Sequence, residues 1–157
     1  MTGDGNGWVI CAAGHRHWGR FGAAGLLLTD GTRVLLQHRA GWTHEGGTWA
    51  FPGGARDSHE DAFAAALREA HEEVGLDPAT VEPILPPHPD DHGGWTYTTV
   101  LARVTGPVAV DALNPESHEV RWVALADVEH LPLHAGFRAA WPDLHRRLLA
   151  ETAGPAG

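Results

Sequence analysis

The stretch from Gly54 to Leu76 constrains the fold of this chain more than any other. From Ser58 to Val74 its apolar residues recur with a helical period, and Asp57 or Ser58 is available to cap the N-terminus of the helix. Gly75 follows at the position where a glycine commonly ends a helix in the left-handed conformation. The pattern predicts one helix over 58–74, with acidic residues in its first turn.

The rest of the sequence predicts strands on either side of this helix. Phe21 to Thr29 and Arg33 to Arg39 are apolar runs joined by Asp30-Gly31, a typical signal for an antiparallel hairpin. Strands and helices are interspersed without a strict βαβ repeat, which predicts an α/β fold, an α/β/α sandwich around a mixed β-sheet. The other predicted elements are a short apolar piece at Thr48–Phe51, an apolar run at Val81–Leu85, a loop at Pro86–Gly94, strands at Trp95–Val104 and Glu119–Leu125, a helical turn at Ala126–His130 and an amphipathic helix at Ala135–Glu151.

Length and cysteine content bound the organisation of the chain. At 157 residues it has the size of one domain. We expect a flexible N-terminal segment at 1–17, a folded domain at 18–152 and a flexible tail at 153–157. The single cysteine, Cys11, excludes an internal disulfide framework and predicts a reducing, cytoplasmic location. No apolar run approaches the roughly 18 residues of a membrane helix.

The charge balance argues against polymeric partners. The chain has 11 basic and 20 acidic residues and a formal charge of -9, which repels nucleic-acid backbones and anionic lipid. Its 12 histidines are scattered, without the spacing of a zinc site. We therefore expect a small-molecule ligand and neither a nucleic-acid polymer nor a membrane.

Three carboxylates share one face of the predicted helix. At about 100° per residue, Glu69, Glu72 and Glu73 fall within one arc, beside an apolar arc that would seat the helix on the sheet. An acidic helix by itself is more simply interpreted as a solvated face, with an Arg68–Glu72 pair worth roughly 0.2 to 0.5 kcal/mol. The alternative is a cation site, whose oxygen ligands favour Mg²⁺, with Mn²⁺ as a substitute. Such a site implies hydrolysis of a phosphoanhydride.

The spacing of the whole segment decides between these interpretations. Its defined positions are Gly54, Glu60, Arg68, Glu69, Ala70, Glu72, Glu73, Gly75 and Leu76. With this spacing the segment resembles the signature box of the Nudix hydrolases, GX5EX7REUXEEXGU, in which U is a bulky aliphatic residue. Ala70 departs from the box, because the family more often has Leu, Ile or Val there. The Phe51-Pro52-Gly53-Gly54 turn and the Glu119–Val123 strand extend the resemblance over most of the chain.

The resemblance implies a role for each polar residue of the box. The divalent ions would be held by Glu69, Glu72, Glu73 and the carbonyl of Gly53. Arg68 would orient the carboxylates, and Glu60 would brace Arg68 or contact an outer ion through water. We expect Gly53 and Gly54 to take backbone angles that are closed to other residues.

The attacking water needs a general base. In this family the base is a glutamate of the box or a residue from a later loop, and Glu69 is the first choice here. Glu116 and Glu119 are the alternatives, and either could instead be an outlying metal ligand.

Residues outside the box set the substrate in this family. Arg39, Trp95 and Tyr97 are the candidate substrate-binding residues, and the two aromatic rings follow a polar loop and could stack on a base. The resemblance implies a MutT-like pyrophosphohydrolase that cleaves a nucleoside diphosphate linked to another moiety, such as a nucleoside triphosphate or a nucleotide sugar.

Several alternatives stay open at this point. One is an ADP-ribose or dinucleoside polyphosphate hydrolase, and another is a non-catalytic Nudix-like sensor that binds a nucleotide or nucleotide sugar. The branch that isomerises isopentenyl diphosphate is less similar, since it uses a cysteine in the core site and Cys11 precedes the first predicted strand. Nudix proteins are often dimers, so a homodimer is compatible with the sequence.

Overall fold

The computed structural model describes residues 3–41, 46–111 and 117–152. The helices are α1 (Ala62–Val74) and α2 (Ala135–Thr152), with 3-10 turns at Pro78–Thr80 and Leu125–His130. The strands are β1 (Trp8–Ile10), β2 (Arg16–Trp18), β3 (Ala23–Thr29), β4 (Arg33–Arg39), β5 (Trp49–Ala50), β6 (Gly53–Ala55), β7 (Val81–Asp91), β8 (Thr96–Val104) and β9 (Ser117–Ala124).

Within the described part of the chain, the strands β3 to β9 form one mixed sheet. β3 pairs in parallel with β8, from Ala23 opposite Tyr97 to Thr29 opposite Arg103. The other pairings are antiparallel and include the β3–β4 hairpin predicted around Asp30-Gly31. With α1 on one face of the sheet and α2 on the other, the predicted α/β/α sandwich is confirmed.

Alternate residues of the central strands build a separate core on each face of the sheet. Leu26 and Leu28 pack against α1, whereas Leu27 between them packs with α2. The contact face of α1 is made of small side chains, Ala65, Ala66 and Ala70, and all three are fully buried. Short side chains bring this helix close to the strands, so its polar residues can reach the backbone of the sheet. The α2 side uses larger side chains, namely Phe137, Trp141, Leu144 and Leu148.

A strand hairpin lies within the N-terminal segment that the sequence predicts to be flexible. β1 and β2 pair antiparallel, with Trp8 opposite Trp18. The indole N–H of Trp95 donates to the carbonyl of Gly19 at 3.0 Å, and the Trp95 ring stacks on His17. These contacts join residues far apart in sequence, and for that reason local patterns did not reveal the hairpin.

Helix α1 begins later than predicted. Its N-cap is Asp61, whose side chain accepts from the N–H of Ala64 at 2.7 Å, instead of Asp57 or Ser58. Asp57 accepts from the N–H of Gly5 at 2.9 Å, so the expected cap residue holds the N-terminal segment. Glu60 therefore precedes the helix, and no acidic residue lies in the first turn. The C-terminus is as predicted, since Gly75 has a φ of 74°.

The predicted loop at 86–94 is also corrected by the structure. β7 continues to Asp91 and pairs with β8 on both sides of a register shift between Ile84 and His88. β7 is the edge strand of the sheet, where a proline without an N–H is tolerated because one side of the strand needs no partner. The Pro-rich composition is thus compatible with a strand at this edge.

Two further predictions concern the limits of the chain and membranes. The tail at 153–157 and the alternative base Glu116 lie outside the described residues. Neither helix in the described ranges is long and apolar enough to cross a bilayer.

Candidate active site

Glu73 is the innermost carboxylate of α1. Gln37 Nε2 on β4 donates to its Oε2 at 2.9 Å, and the N–H of Gly53 on β6 donates to the same oxygen at 3.2 Å. Both donors are neutral, so they orient the carboxylate without neutralising its charge. Burial raises the pKa of Glu73 to about 8, and the nearby charge of Glu69 adds to the rise.

Glu69 lies one helical turn earlier and faces Glu73. Glu69 accepts a hydrogen bond from Arg68 Nη1 at 2.9 Å, and its charge adds to the rise in the pKa of Glu73. Burial raises the pKa of Glu69, while the charge of Arg68 acts in the opposite direction. Two charged carboxylates one helical turn apart in a partly buried site repel each other, and a proton or a cation between them relieves the repulsion. The pair is therefore suited to bind positive charge.

Two glycines of β6 let the carboxylates of α1 approach the sheet. A Cβ on Gly54 would lie 2.5 Å from the carboxyl carbon of Glu69, and one on Gly53 would lie 2.7 Å from the carbonyl oxygen of Ala24. Neither Gly53 nor Gly54 has a positive φ, which corrects the prediction that unusual backbone angles require them. What requires glycine at these positions is the space that a Cβ would fill.

Arg68 ties the helix to the segment before it. Its guanidinium forms a bidentate pair with Glu60, with Nε–Oε2 and Nη2–Oε1 distances of 2.8 and 2.9 Å. Nη2 also donates to the carbonyl of Ala55 at 2.9 Å, and Asp57 lies 3.7 Å from it. The hydrogen bond from Arg68 holds the pKa of Glu60 below its usual range. Of the two positions implied for Glu60, the structure has the one against Arg68.

Glu72 is set apart from the other two helix glutamates. Its side chain is 58% exposed and lies 3.6 Å from Arg68 Nη1. Within residues 3–41, 46–111 and 117–152, the three-residue group whose ligand atoms lie within 4.8 Å of one another is Asp57, His59 and Glu60. Arg68 already pairs with the carboxylates of that group. The predicted acidic face is thus divided into a half-buried pair and an exposed third carboxylate.

One of the predicted substrate-binding residues, Tyr97, lies beside Gly53, the β6 residue whose N–H donates to Glu73. The hydroxyl of Tyr97 fills a notch at Gly25, where a Cβ would lie 2.1 Å from Oη. Burial raises the pKa of Tyr97, and the negative charge of Glu73 adds to the rise. The positive charge of Arg39 acts on the pKa of the same hydroxyl in the opposite direction.

Trp95 and Glu119 do not join this group. Trp95 is 9% exposed, and its ring stacks on His17 with the ring centroids 4.2 Å apart. Trp95 packs the N-terminal hairpin on the sheet, and its predicted role as a stacking face for a base stays a prediction. Glu119 pairs with Arg121 on the same strand at 3.1 Å instead of meeting the glutamates of α1.

Sequence reasoning missed the residues that position the pair from the sheet. Gln37 is 4% exposed and is the donor that orients Glu73, and Gly25 makes room for the hydroxyl of Tyr97. A signal for Gln37 was present, since it is a polar residue two positions after Leu35 and on the same face of a buried strand. Nothing local points to Gly25, because its neighbours come from β8 and from Phe51.

The oxygen atoms of the carboxylate pair are suitable ligands for a hard divalent cation. Carboxylate and carbonyl oxygens are the ligands that Mg²⁺ and Mn²⁺ prefer. The hydrogen bonds that Glu73 receives from the sheet come from an amide side chain and a backbone N–H, which leave its charge uncompensated. A divalent cation would supply the charge that the pair lacks.

Several known proteins are similar to this chain in sequence and in fold. The NUDIX domain model matches residues 19–144. The chain is 52% identical over 155 residues to a "Putative 8-oxo-dGTP diphosphatase 3" of Mycobacterium tuberculosis, an alignment that covers 92% of this chain and 70% of that protein. It is 41% identical over 153 residues to a "Nucleoside triphosphate pyrophosphatase/Nudix hydrolase fusion protein" of Bifidobacterium longum, covering 92% of this chain and 32% of that protein.

A solved structure extends the agreement to three dimensions. The Nudix hydrolase RenU of M. smegmatis superposes with a TM-score of 0.85 at 45% sequence identity, covering 98% of this chain and 99% of that chain. The family model spans most of the sequence, and the two relatives are named a diphosphatase and a Nudix hydrolase fusion protein. The chain therefore belongs to the Nudix family, as a MutT-like hydrolase of phosphoric anhydrides.

Proposed function

We propose that this protein is a Mg²⁺-dependent pyrophosphohydrolase that cleaves a nucleoside diphosphate linked to another moiety. The observation that carries the proposal is the pair formed by Glu69 and Glu73, in which two half-buried carboxyl groups face each other. The donors that Glu73 receives from the sheet are neutral. Nudix enzymes generally use divalent metals, and Mn²⁺ is the expected substitute here.

Residues of α1 and β6 would hold the ion and direct the water. The proposed ligands are Glu69, Glu72, Glu73 and the carbonyl of Gly53. The bound ion would neutralise phosphate oxygens and lower the pKa of an attacking water. Glu69 is the proposed general base, because Arg68 holds its carboxylate at 2.9 Å. It would take the proton as the water oxygen bonds to phosphorus and the phosphoanhydride P–O bond breaks towards the leaving phosphate.

A nucleoside triphosphate is the proposed substrate class. The relative from M. tuberculosis is named a putative 8-oxo-dGTP diphosphatase, which supports this class. A nucleotide sugar is the alternative within the same chemistry. Tyr97 and Arg39 are the proposed substrate contacts; the Tyr97 hydroxyl lies beside Gly53 on β6, which supports its part in the proposal.

The proposed setting is the cytoplasm. Cys11 is buried and free, which suits a reducing compartment. A homodimer is compatible with the family, and light scattering on the purified chain would measure its mass.

A substrate panel tests the proposal directly. The purified chain is incubated with 8-oxo-dGTP, ordinary nucleoside triphosphates, nucleotide sugars, ADP-ribose and dinucleoside polyphosphates, each with Mg²⁺, Mn²⁺ or EDTA. Hydrolysis in ¹⁸O-labelled water, read by mass spectrometry, identifies the phosphorus that is attacked. We expect metal-dependent release of a nucleoside monophosphate from at least one nucleoside triphosphate.

A matched variant separates the site from non-specific effects. Glu82 is a glutamate paired with Arg103 on the surface and 53% exposed, so Glu82→Gln serves as the control for Glu73→Gln. Equal turnover by wild type and Glu73→Gln, or hydrolysis that EDTA leaves unchanged, would contradict the assignment. Tight nucleotide binding without turnover would instead favour the sensor.

A further inference from the structure

Two arginines line a cavity that lies away from the carboxylate pair. A cavity of about 520 Å³ opens between the residues that lead into β3, the start of α1 and the β7–β8 connection. Arg20 and Arg56 are among the residues that line it. None of its lining residues is a glutamate of the Nudix box.

Arg56 is held in place without losing its charge. Its Nε donates to the carbonyl of Phe21 at 3.1 Å, and its Nη1 donates to the carbonyl of Glu60. Both acceptors are neutral backbone groups, and Arg56 forms no ion pair within the described ranges of the chain. A guanidinium fixed in this way is preorganised for an anion, because its position is set before the ligand arrives.

Arg20 is also without a carboxylate partner among the residues that the structure describes. Its guanidinium carbon lies 5.6 Å from the centre of the Phe21 ring, a contact that leaves the charge uncompensated. The chain has nearly two acidic residues for each basic one, so unpaired arginines stand out. Five other arginines do pair with carboxylates, namely Arg33, Arg68, Arg103, Arg121 and Arg146.

The remaining wall of the cavity adds neutral and acceptor groups. Thr96 and Thr98 supply hydroxyls, and Asp91 supplies a carboxylate. The charge on Asp91 would oppose a bare anion but would accept a hydrogen bond from a ligand hydroxyl. A phosphate ester that carries hydroxyl groups fits the wall better than inorganic phosphate does.

We propose that this cavity binds the phosphate group of a nucleoside monophosphate, with Arg20 and Arg56 on the phosphate and Asp91 on a ribose hydroxyl. The site is separate from the carboxylate pair and does not depend on a metal ion. It goes beyond the proposed hydrolysis, because it would bind a phosphate monoester that has no phosphoanhydride bond to cleave.

Binding is tested on the full chain in EDTA, where the carboxylate pair has no ion to attract phosphate. Adenosine 5′-monophosphate, guanosine 5′-monophosphate, adenosine and inorganic phosphate are titrated separately into ¹⁵N-labelled protein. We expect saturable shifts of the amide signals of Gly22, Gly94 and Thr96, all of which line the cavity. The monophosphates should bind more tightly than inorganic phosphate, and adenosine should not bind.

Two arginines of the N-terminal region provide a matched pair of variants. Arg20→Ala should weaken binding by about tenfold or more, since it removes a charged hydrogen-bond donor, and Arg20→Lys should retain most of it. Arg16 lies over the ring of Trp8 at 4.2 Å but does not line the cavity, so Arg16→Ala should leave the affinity unchanged. The proposal is overturned if no ligand saturates in the millimolar range or if both alanine variants lose affinity equally. Inorganic phosphate binding as tightly as the monophosphates would overturn the assignment to a nucleotide.

Discussion

Two groups of carboxylates lie near Arg68. The pKa of a glutamate in one group is lowered, and the pKa of a glutamate in the other is raised. The outer group, Asp57 and Glu60, lies before α1, and the inner pair is formed by Glu69 and Glu73 on α1 itself. Glu60 receives both arms of the Arg68 guanidinium, and its pKa is lowered. Burial raises the pKa of Glu73 to about 8, and its donors from the sheet are neutral.

Arg68 provides a positive charge beside Glu60, whereas the donors from the sheet to Glu73, Gln37 and Gly53, are neutral. Desolvation acts on both groups, and the Arg68 guanidinium opposes it at Glu60 and in part at Glu69, whereas the causes of the raised pKa of Glu73 include no guanidinium. Glu69 stands between them, because it contacts both Arg68 and Glu73. A group of carboxylates is therefore not by itself a sign of a metal site. The informative feature is a half-buried carboxylate, such as Glu73, whose hydrogen-bond donors are neutral.

The largest expected effect comes from removing a charge of the inner pair. We expect Glu73→Gln and Glu69→Gln each to lower turnover by about 10²- to 10⁴-fold, because the ion and the base lose a ligand or a proton acceptor. Steady-state hydrolysis of the substrate found in the panel measures the loss, and far-UV circular dichroism checks the fold. The control Glu82→Gln should retain wild-type turnover. Retained activity in both inner-pair variants would show that the inner pair, like the outer group, is not needed for turnover.

A Cβ at Gly54 tests whether the position of Glu69 matters as well as its charge. Gly54→Ala would place a methyl group 2.5 Å from the carboxyl carbon of Glu69 and push that side chain away. A displacement of this kind should lower turnover by up to about 10²-fold. Gly106→Ala is the control, since a Cβ there meets nothing within 4 Å. Unchanged kinetics in Gly54→Ala would show that the close approach of helix and strand is dispensable.

Loss of the internal cation should destabilise the fold. Arg68→Ala leaves Glu60, whose side chain is 8% exposed, without its bidentate partner. We expect the free energy of unfolding to fall by roughly 1–3 kcal/mol, less than for a fully buried pair because the Arg68 side chain is 30% exposed. Urea denaturation at neutral pH measures the change. A double variant with Glu60→Gln should recover part of the loss, and no recovery would argue against this pairing.

The two groups should also respond to pH in opposite directions. The pKa of Glu60 is lowered in the folded state, so its stabilising effect is present above the unfolded pKa and is lost as pH falls through the folded value. The pKa of Glu73 is raised to about 8, so in metal-free protein its contribution is present at low pH and is lost as pH rises towards that value.

Denaturation in urea across a pH series in EDTA separates these two contributions. Glu60→Gln should flatten the loss of stability at acid pH, and Glu73→Gln should flatten the decline that the wild type shows as pH rises from about 4.5 to about 8. Mg²⁺ should restore stability to the wild type at alkaline pH and do so less in Glu73→Gln. Identical profiles for the two variants would contradict the comparison.

The smallest effect is expected at an exposed ion pair. Arg103 contacts Glu82 at 2.6 Å, but the two side chains are 43% and 53% exposed. Water and salt screen such a pair, so Arg103→Ala should lower the free energy of unfolding less than Arg68→Ala does. A larger loss than in Arg68→Ala would show that burial does not set the strength of these pairs.

Most elements were predictable because their signals are local. The Asp30-Gly31 turn marks the β3–β4 hairpin, and Gly75 marks the end of α1. The errors occurred where a distant residue competes for a local one. Asp57 binds the N–H of Gly5 instead of capping α1, and β7 gains its pairing from β8 in spite of its prolines.

The chain order alone determined which residues carry charge on the face of α1. The spacing of Glu69 and Glu73 places them one turn apart in any helix, and the same spacing supports the Nudix resemblance. Only the tertiary structure decided how these carboxylates differ from Glu60 and Glu72. Burial and hydrogen-bond partners arise from contacts across the sheet, such as Gln37 with Glu73, and helical periodicity contains no information about them.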